Sequence, residues 1–228
     1  MNLRGNKIDS INLTKNIYLK RIYANFNEFK SVNTDKNIYL ENIAIDNNLP
    51  DFSEDIENGI IEPWDTITRI NFTKNINLKH ISVPFLGLNE LDISNNTKLE
   101  GLDAINNNIS IIDFSSNLGN MENIKLGNNN LSEIDVTNFP NLKVLHIPEN
   151  KITSIDVSNN PLLEELALHT NPIKGILDVS FMNNMNELRV FNTNIDYIQL
   201  SEEQLVKYEA GEYERWALGN IPYSIQCN

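Results

Sequence analysis

The chain has 228 residues, 40% of them hydrophobic and 21% charged, with a formal net charge of −13. This composition excludes a disordered chain and suffices for a continuous core in one or two domains. The acidic balance, with no clustered run of Lys or Arg, excludes a surface built to follow a phosphate backbone, so nucleic acid is not an expected partner.

No apolar stretch follows the N-terminal residues Met1 to Asn6, and no later one is long enough for a membrane span, so neither a secretory core segment nor a transmembrane helix is expected. The single cysteine, Cys227, has no partner for an internal disulfide. A reducing, cytoplasmic or virion-associated setting is expected, although a mature secreted form that had lost its leader would read identically. The abundance of Asn and Ile is what an AT-rich genome produces and points to a low-GC bacterium, its phage or a large virus.

A period of about 21 residues organises the chain, and such a period decides the architecture before any local propensity. Read backwards, the frame places Met1, Leu3, Asn6, Ile8 and Ile11 at inward positions of a first, incomplete unit. Units then open at Leu19, Leu40, Glu57, Leu78, Leu99, Met121, Leu142 and Leu163, with Leu188 opening a shortened last one, about ten in all. The clearest runs from Leu142 to Pro161 and reads L-x-x-L-x-L-x-x-N-x-I-x-x-I-D-V-S-x-N-P.

Within it, the alternation at Leu142, Leu145 and Ile147 turns side chains inward from a short strand, and adjacent units should pair these strands in parallel at about 4.8 Å. The expected result is one curved parallel sheet. The ninth position is Asn6, Asn27, Asn48, Asn107, Asn129, Asn150 and Asn171, each expected to turn inward and bond backbone groups of neighbouring units as a structural ladder. Asp65 and Leu86 depart from this rule, so residues 49–65 and 82–88 are the least regular stretches. The Ile-Asp-Val-Ser segments are too short for helices and predict extended backbone with tight turns.

Ser201 and Gln204 form a capping-box signature, so a helix is expected to start there, with Leu205, Tyr208, Trp216 and Leu218 covering the apolar end of the stack in a cap over 201–228. At the other end Met1 to Leu3 would be an edge strand with open hydrogen-bonding groups that something should cover.

The repeat motif resembles the leucine-rich-repeat family, specifically its short bacterial class of 21-residue units, over residues 1–200. That resemblance implies a solenoid with a parallel sheet on its concave face, short extended segments on its convex face and a small helical C-terminal cap. It further implies a non-enzymatic scaffold that recognises a protein partner.

Candidate chemistry is sparse. Position fifteen is Asn12, Asn33 and Asn71, then Asp92, Asp113, Asp135 and Asp156. Stacked carboxylates could hold calcium, but turn N–H groups are the expected partners and no cofactor or metal is assigned. His80, His146 and His169 all fall on the outward strand face. His146 and His169 lie in adjacent units, and a metal there would need a third ligand such as Glu165 or Glu149. No nucleophile elbow, zinc-protease motif or phosphate-cradling loop occurs, so no catalytic residue is assigned.

The candidate partner-binding set is therefore the outward face, with Tyr23, Phe26, Trp64 and Phe85 in the first half and Lys125, Lys143, His146, Glu149, Glu165 and His169 in the second. Phe85 and Trp64 could instead fold inward to patch their irregular units. A second reading is a subunit of a larger assembly or homo-oligomer, docked through the N-terminal edge strand.

Overall fold

The computed structural model describes residues 1–47, 67, 69–117 and 119–225, and the chain divides into two compact units, Met1–Asn117 and Leu118–Asn228. In chain order the first unit contains β1 (Arg21–Asn27), β2 (Asn42–Asn47), β3 (Arg69–Asn71), β4 (His80–Ser82), β5 (Glu90–Asp92) and β6 (Gly101–Asp103). β1, β2, β4 and β6 make a parallel ladder in that order, and β3 pairs with β5 on the other side of the coils. Ile22, Ile43, Ile81 and Leu102 lie in register as the second residue of each strand and are fully buried, as pleat alternation requires. Asn2 bridges Tyr23, which sets Met1 to Leu3 beside β1.

One expected unit is not a rung of this ladder. Asn42, Ile43 and Ala44 of β2 pair directly with His80, Ile81 and Ser82 of β4. On the far side Asn75 donates directly to the carbonyls of Thr34 and Asn37. β2 and β4 are thus neighbouring rungs, and residues 48–66, within which a further unit is expected to open at Glu57, lie outside the described residues. An insertion close to one period long mimics a further unit, because apolar spacing alone cannot separate the two. Asn48, Trp64 and Asp65 lie outside the described residues.

The second unit contains β7 (Asn123–Lys125), β8 (Val144–His146), β9 (Glu165–Ala167), β10 (Lys174–Asp178), β11 (Glu187–Arg189), β12 (Asn194–Leu200), α1 (Glu202–Glu209), β13 (Trp216–Ala217) and β14 (Tyr223–Ile225). Its ladder runs β7-β8-β9-β11-β13, with β10, β12 and β14 paired on the far side. Ile124, Leu145, Leu166, Leu188 and Trp216 form the buried central row. Leu188 therefore sits at a strand centre rather than opening a unit. Buried Met185 opens it, three residues earlier, and Tyr213, Trp216 and Leu218 repeat the same spacing in one more rung. Trp216 and Leu218 are core residues of that rung, while α1 supplies the expected helix.

Two sets of asparagines tie coil to coil. At the strand ends Asn150 donates from Nδ2 to the carbonyls of Leu126 (2.9 Å), Ile147 (3.2 Å) and Pro148 (3.1 Å), while its Oδ1 accepts from Leu131 N–H at 2.9 Å. Asn27, Asn107 and Asn171 repeat the arrangement, and Asn129 donates to Leu126 and Gly127. At the end of β2 it is Asn47 that both accepts from and donates to the Phe29 backbone. Leu86 puts an apolar, buried rung in the row, and its own N–H reaches Asn107 Oδ1.

The other set, Asn37, Asn75, Asn96, Asn117 and Asn160, is fully buried in the turns that lead into the strands. Each Nδ2 reaches back to turn carbonyls of the preceding coil, as Asn37 does to Leu13 and Asn16, and Asn160 to Val136 and Phe139. Gln204 extends this role into α1. Its side chain closes the capping box with Ser201, and its Nε2 donates to the carbonyls of Val179 and Met182.

Just before the strand-end row the backbone is left-handed at Phe26, Phe85, Asn106, Asn128, Glu149, Thr170 and Asn192. Asn tolerates that conformation, whereas Phe, Glu and β-branched Thr do so at a cost.

Asn150→Ala strands the buried Leu131 N–H and takes one of two hydrogen bonds from each of the Leu126, Ile147 and Pro148 carbonyls. An unpaired buried polar group costs about 1–3 kcal/mol, so urea unfolding should show a loss of that order. Asn6→Ala, at an exposed position, should stay within about 0.5 kcal/mol of the parent.

Candidate functional site

The outward face of the second ladder carries two aligned rows. Asn123, Val144, Glu165 and Glu187 stand side by side, and so do Lys125, His146, Ala167 and Arg189. The small Ala167 leaves a gap between His146 and Arg189, into which charged side chains converge. His146 Nε2 lies 3.1 Å from Glu165 Oε2, and Arg215, on the approach to β13, reaches Glu165 Oε1 at 3.3 Å. Glu187 is fully buried and is held between the guanidiniums of Arg189 and Arg215. Two carboxylates thus meet two guanidiniums, whose planar forks suit such pairing and leave the cluster close to neutral. A buried carboxylate is tolerated only with such partners.

His146, Glu165 and Glu187 also bring one ligand atom each within 4.8 Å of one another, a spacing that a divalent ion could bridge. Glu187 is the third ligand that sequence spacing does not reveal. Both arginines already occupy these carboxylates, however, so an ion would have to displace them, and the arrangement is chemically an ion-pair network.

His169 does not join His146. Its ring stacks on Phe191 at 4.5 Å between centroids, while His146 turns to Glu165. Burial lowers the pKa of His146, with Lys125 adding to the effect and Glu165 opposing it. Burial followed by Arg189 lowers that of His169.

The remaining candidates are dispersed. Glu149 is an exposed left-handed residue at a strand end. Lys143 pairs with Glu122 at 2.8 Å, one of the cross-coil pairs that also include Lys20–Glu41 and Lys79–Glu100. In the first unit Tyr23 lies on β1 under the Arg4 guanidinium, 5.3 Å from the ring centre. Phe26 is 51% exposed and Phe85 half-buried, both left-handed. His80 lies 3.6 Å from Glu100.

The position-fifteen residues are turn acceptors. Asn12, Asn33, Asn71, Asp92, Asp113, Asp135 and Asp156 each accept from the N–H two residues on. Hydrogen bonds from Ser94, Ser115, Thr137 and Ser158 hold the four Asp carboxyls below their ordinary pKa.

Sequence reading missed Glu187, Arg189, Phe191 and Arg215. A frame opened at Met185 would have put Glu187 and Arg189 beside Glu165 and Ala167.

No family model and no curated protein matches the sequence. Solved structures do match. The functional domain of InlJ from Listeria monocytogenes, which includes a cysteine ladder, aligns over 86% of this chain and 44% of its own, with TM-score 0.66 and 22% identity. An internalin, InlF, from the same species aligns over 95% of this chain and 56% of its own, with TM-score 0.66 and 18% identity. A leucine-rich-repeat protein of Leptospira interrogans aligns over 99% and 53%, with TM-score 0.67 and 18% identity. The chain spans about half the length of these solved chains, and the likeness is one of fold.

Both histidines have folded pKa values below the ordinary 6.5, so the unfolded chain takes up protons first as pH falls. Their contribution to stability should be full above pH 6.5 and decline below it, with a second decline below pH 3.8 as the turn aspartates protonate. Urea midpoints measured against pH should show both steps, and His146→Gln with His169→Gln should remove the upper one alone.

Proposed function

From the premise that the chain folds as a leucine-rich-repeat solenoid, we propose that it is a non-enzymatic recognition scaffold binding a protein partner through the outward, concave face of its strand ladder. The observation that carries this reading is the set around Ala167. His146, Glu165, Glu187, Arg189 and Arg215 are locked together beside the His169–Phe191 stack, on a face that the core does not use. Side chains already fixed in one geometry lose little entropy on binding, and arginine and aromatic groups supply most interface energy. The His146–Glu165 pair offers little as an acid–base device, because Arg215 shares its carboxylate.

Phe26 supports the same reading for the first unit. Neither its left-handed backbone nor its 51% exposure favours a phenylalanine for folding, which leaves contact as its use.

Crosslinking mass spectrometry of the tagged protein in its native host tests the proposal. Links to a partner should concentrate at Lys125 and Lys143. With the captured partner in hand, His169→Ala or Arg215→Ala should weaken binding about tenfold or more. Links that gather at Lys174 and Lys207 and spare Lys125 and Lys143 would contradict it.

A further inference from the structure

The turns that lead into the first strands carry a feature the fold does not require. Leu13 to Leu19, Thr34 to Leu40 and Phe72 to Leu78 each form two successive turns, closed by Asn16 N–H to Leu13 and Leu19 N–H to Asn16, and likewise at Asn37 and Asn75. All three contain Lys-Asn-Ile, as Lys15-Asn16-Ile17, Lys36-Asn37-Ile38 and Lys74-Asn75-Ile76, and two continue with Tyr18 and Tyr39. Asn37 donates to Asn16 O and Asn75 to Asn37 O, so the three tips are held one above another.

Only the asparagine is structural. Ile17, Ile38 and Ile76 are 41–53% exposed, Tyr18 is 77% exposed, and Tyr39 stacks on Tyr18 with centroids 5.8 Å apart. In the second unit the same turns form around Phe139, Asn160 and Met182, flanked by Asn138 and Pro140, Asn159 and Pro161, and Phe181 and Asn183. The coil therefore closes without the lysine, isoleucine or tyrosine.

The charge of this edge opposes that of the chain. Lys15, Lys36 and Lys74 are exposed and have no ion pair among the described residues. The nearby carboxylates Glu41 and Glu100 are taken by Lys20 and Lys79. Lys98 bonds the neutral Asn77, and Asp35 is the one further acid within these turns. A net positive row of ammonium groups thus runs beside exposed aliphatic and phenolic side chains, in a chain whose net charge is −13.

We propose that this edge of the Met1–Asn117 unit is a docking surface for an anionic phospholipid bilayer. Lysines at the level of anionic headgroups, tyrosines at the interface and isoleucines reaching the acyl boundary are the chemistry of peripheral membrane contact. The residues sit at turn tips and stand proud, so they offer no groove for a peptide.

Sedimentation of the whole chain with vesicles of phosphatidylcholine alone, or with about 30% phosphatidylserine, tests this. Binding should favour the anionic vesicles about tenfold or more and fade as salt rises. Lys15→Glu with Lys36→Glu and Lys74→Glu should abolish it, Tyr18→Ser with Tyr39→Ser should weaken it severalfold, and Lys151→Glu with Lys174→Glu should leave it intact. Circular dichroism should show all variants folded, as expected of exposed positions. Equal binding to both vesicles, no binding at low salt, or equal loss in the Lys151/Lys174 variant would overturn the proposal. So would binding of polyglutamate through the same lysines without vesicle binding, which would make the surface one for acidic protein.

Discussion

Each coil of a parallel solenoid has to leave its strand, and there the backbone N–H and C=O groups lose their ladder partners while still buried. Asparagine resolves this because its amide offers a donor pair and an acceptor on one short, rigid side chain. In this protein the problem arises twice per coil, at the strand end and in the turn before the next strand. Asn27, Asn107, Asn150 and Asn171 answer the first with donor and acceptor, whereas Asn37, Asn75, Asn96, Asn117 and Asn160 answer the second through their donors, the Oδ1 of all but Asn75 being buried without a partner among the described residues. The two rows fix the register of neighbouring coils, and with it which side chains share a row on the outward face. A chain with one cysteine cannot use cysteines for such a row.

That registry lets strands of three residues present ordered chemistry. Glu165 meets Glu187, and His146 meets Ala167, only because Leu145, Leu166 and Leu188 are aligned beneath them. The ion-pair cluster then joins three strands to Arg215, fifty residues along the chain from Glu165. In the first unit the turn asparagines do the same for the Lys-Asn-Ile tips. The outward rows and the turn tips in both units are thus set by the same buried amides, while the residues displayed differ.

The strand rows, the strand-end asparagines and the capping box at Ser201 were legible in the sequence because each follows from a local pattern with a strong physical cause. The turn asparagines were not, since in so Asn-rich a chain a second buried row looks like background. The extra unit at Glu57 and the late frame at Leu188 share one origin. A period fitted to apolar residues accepts an insertion of nearly its own length, and it takes any leucine over the methionine that truly opens a unit. The cluster at Glu187 was hidden behind that frame, and Arg215 cannot be placed beside Glu165 until the last rung is known to pair.

The most direct test of the asparagine account is native-state hydrogen exchange at the amides of Leu131 and Ile152, which donate to Asn150 Oδ1 and Asn171 Oδ1 at 2.9 and 3.1 Å. Both lie outside any strand, and the account predicts that they exchange as slowly as strand-centre amides such as Leu145. In the Asn150→Ala chain, Leu131 should lose its protection relative to Ile152, whose acceptor is untouched. Exchange of Leu131 at an exposed-loop rate in the parent, or undiminished protection after the substitution, would contradict it.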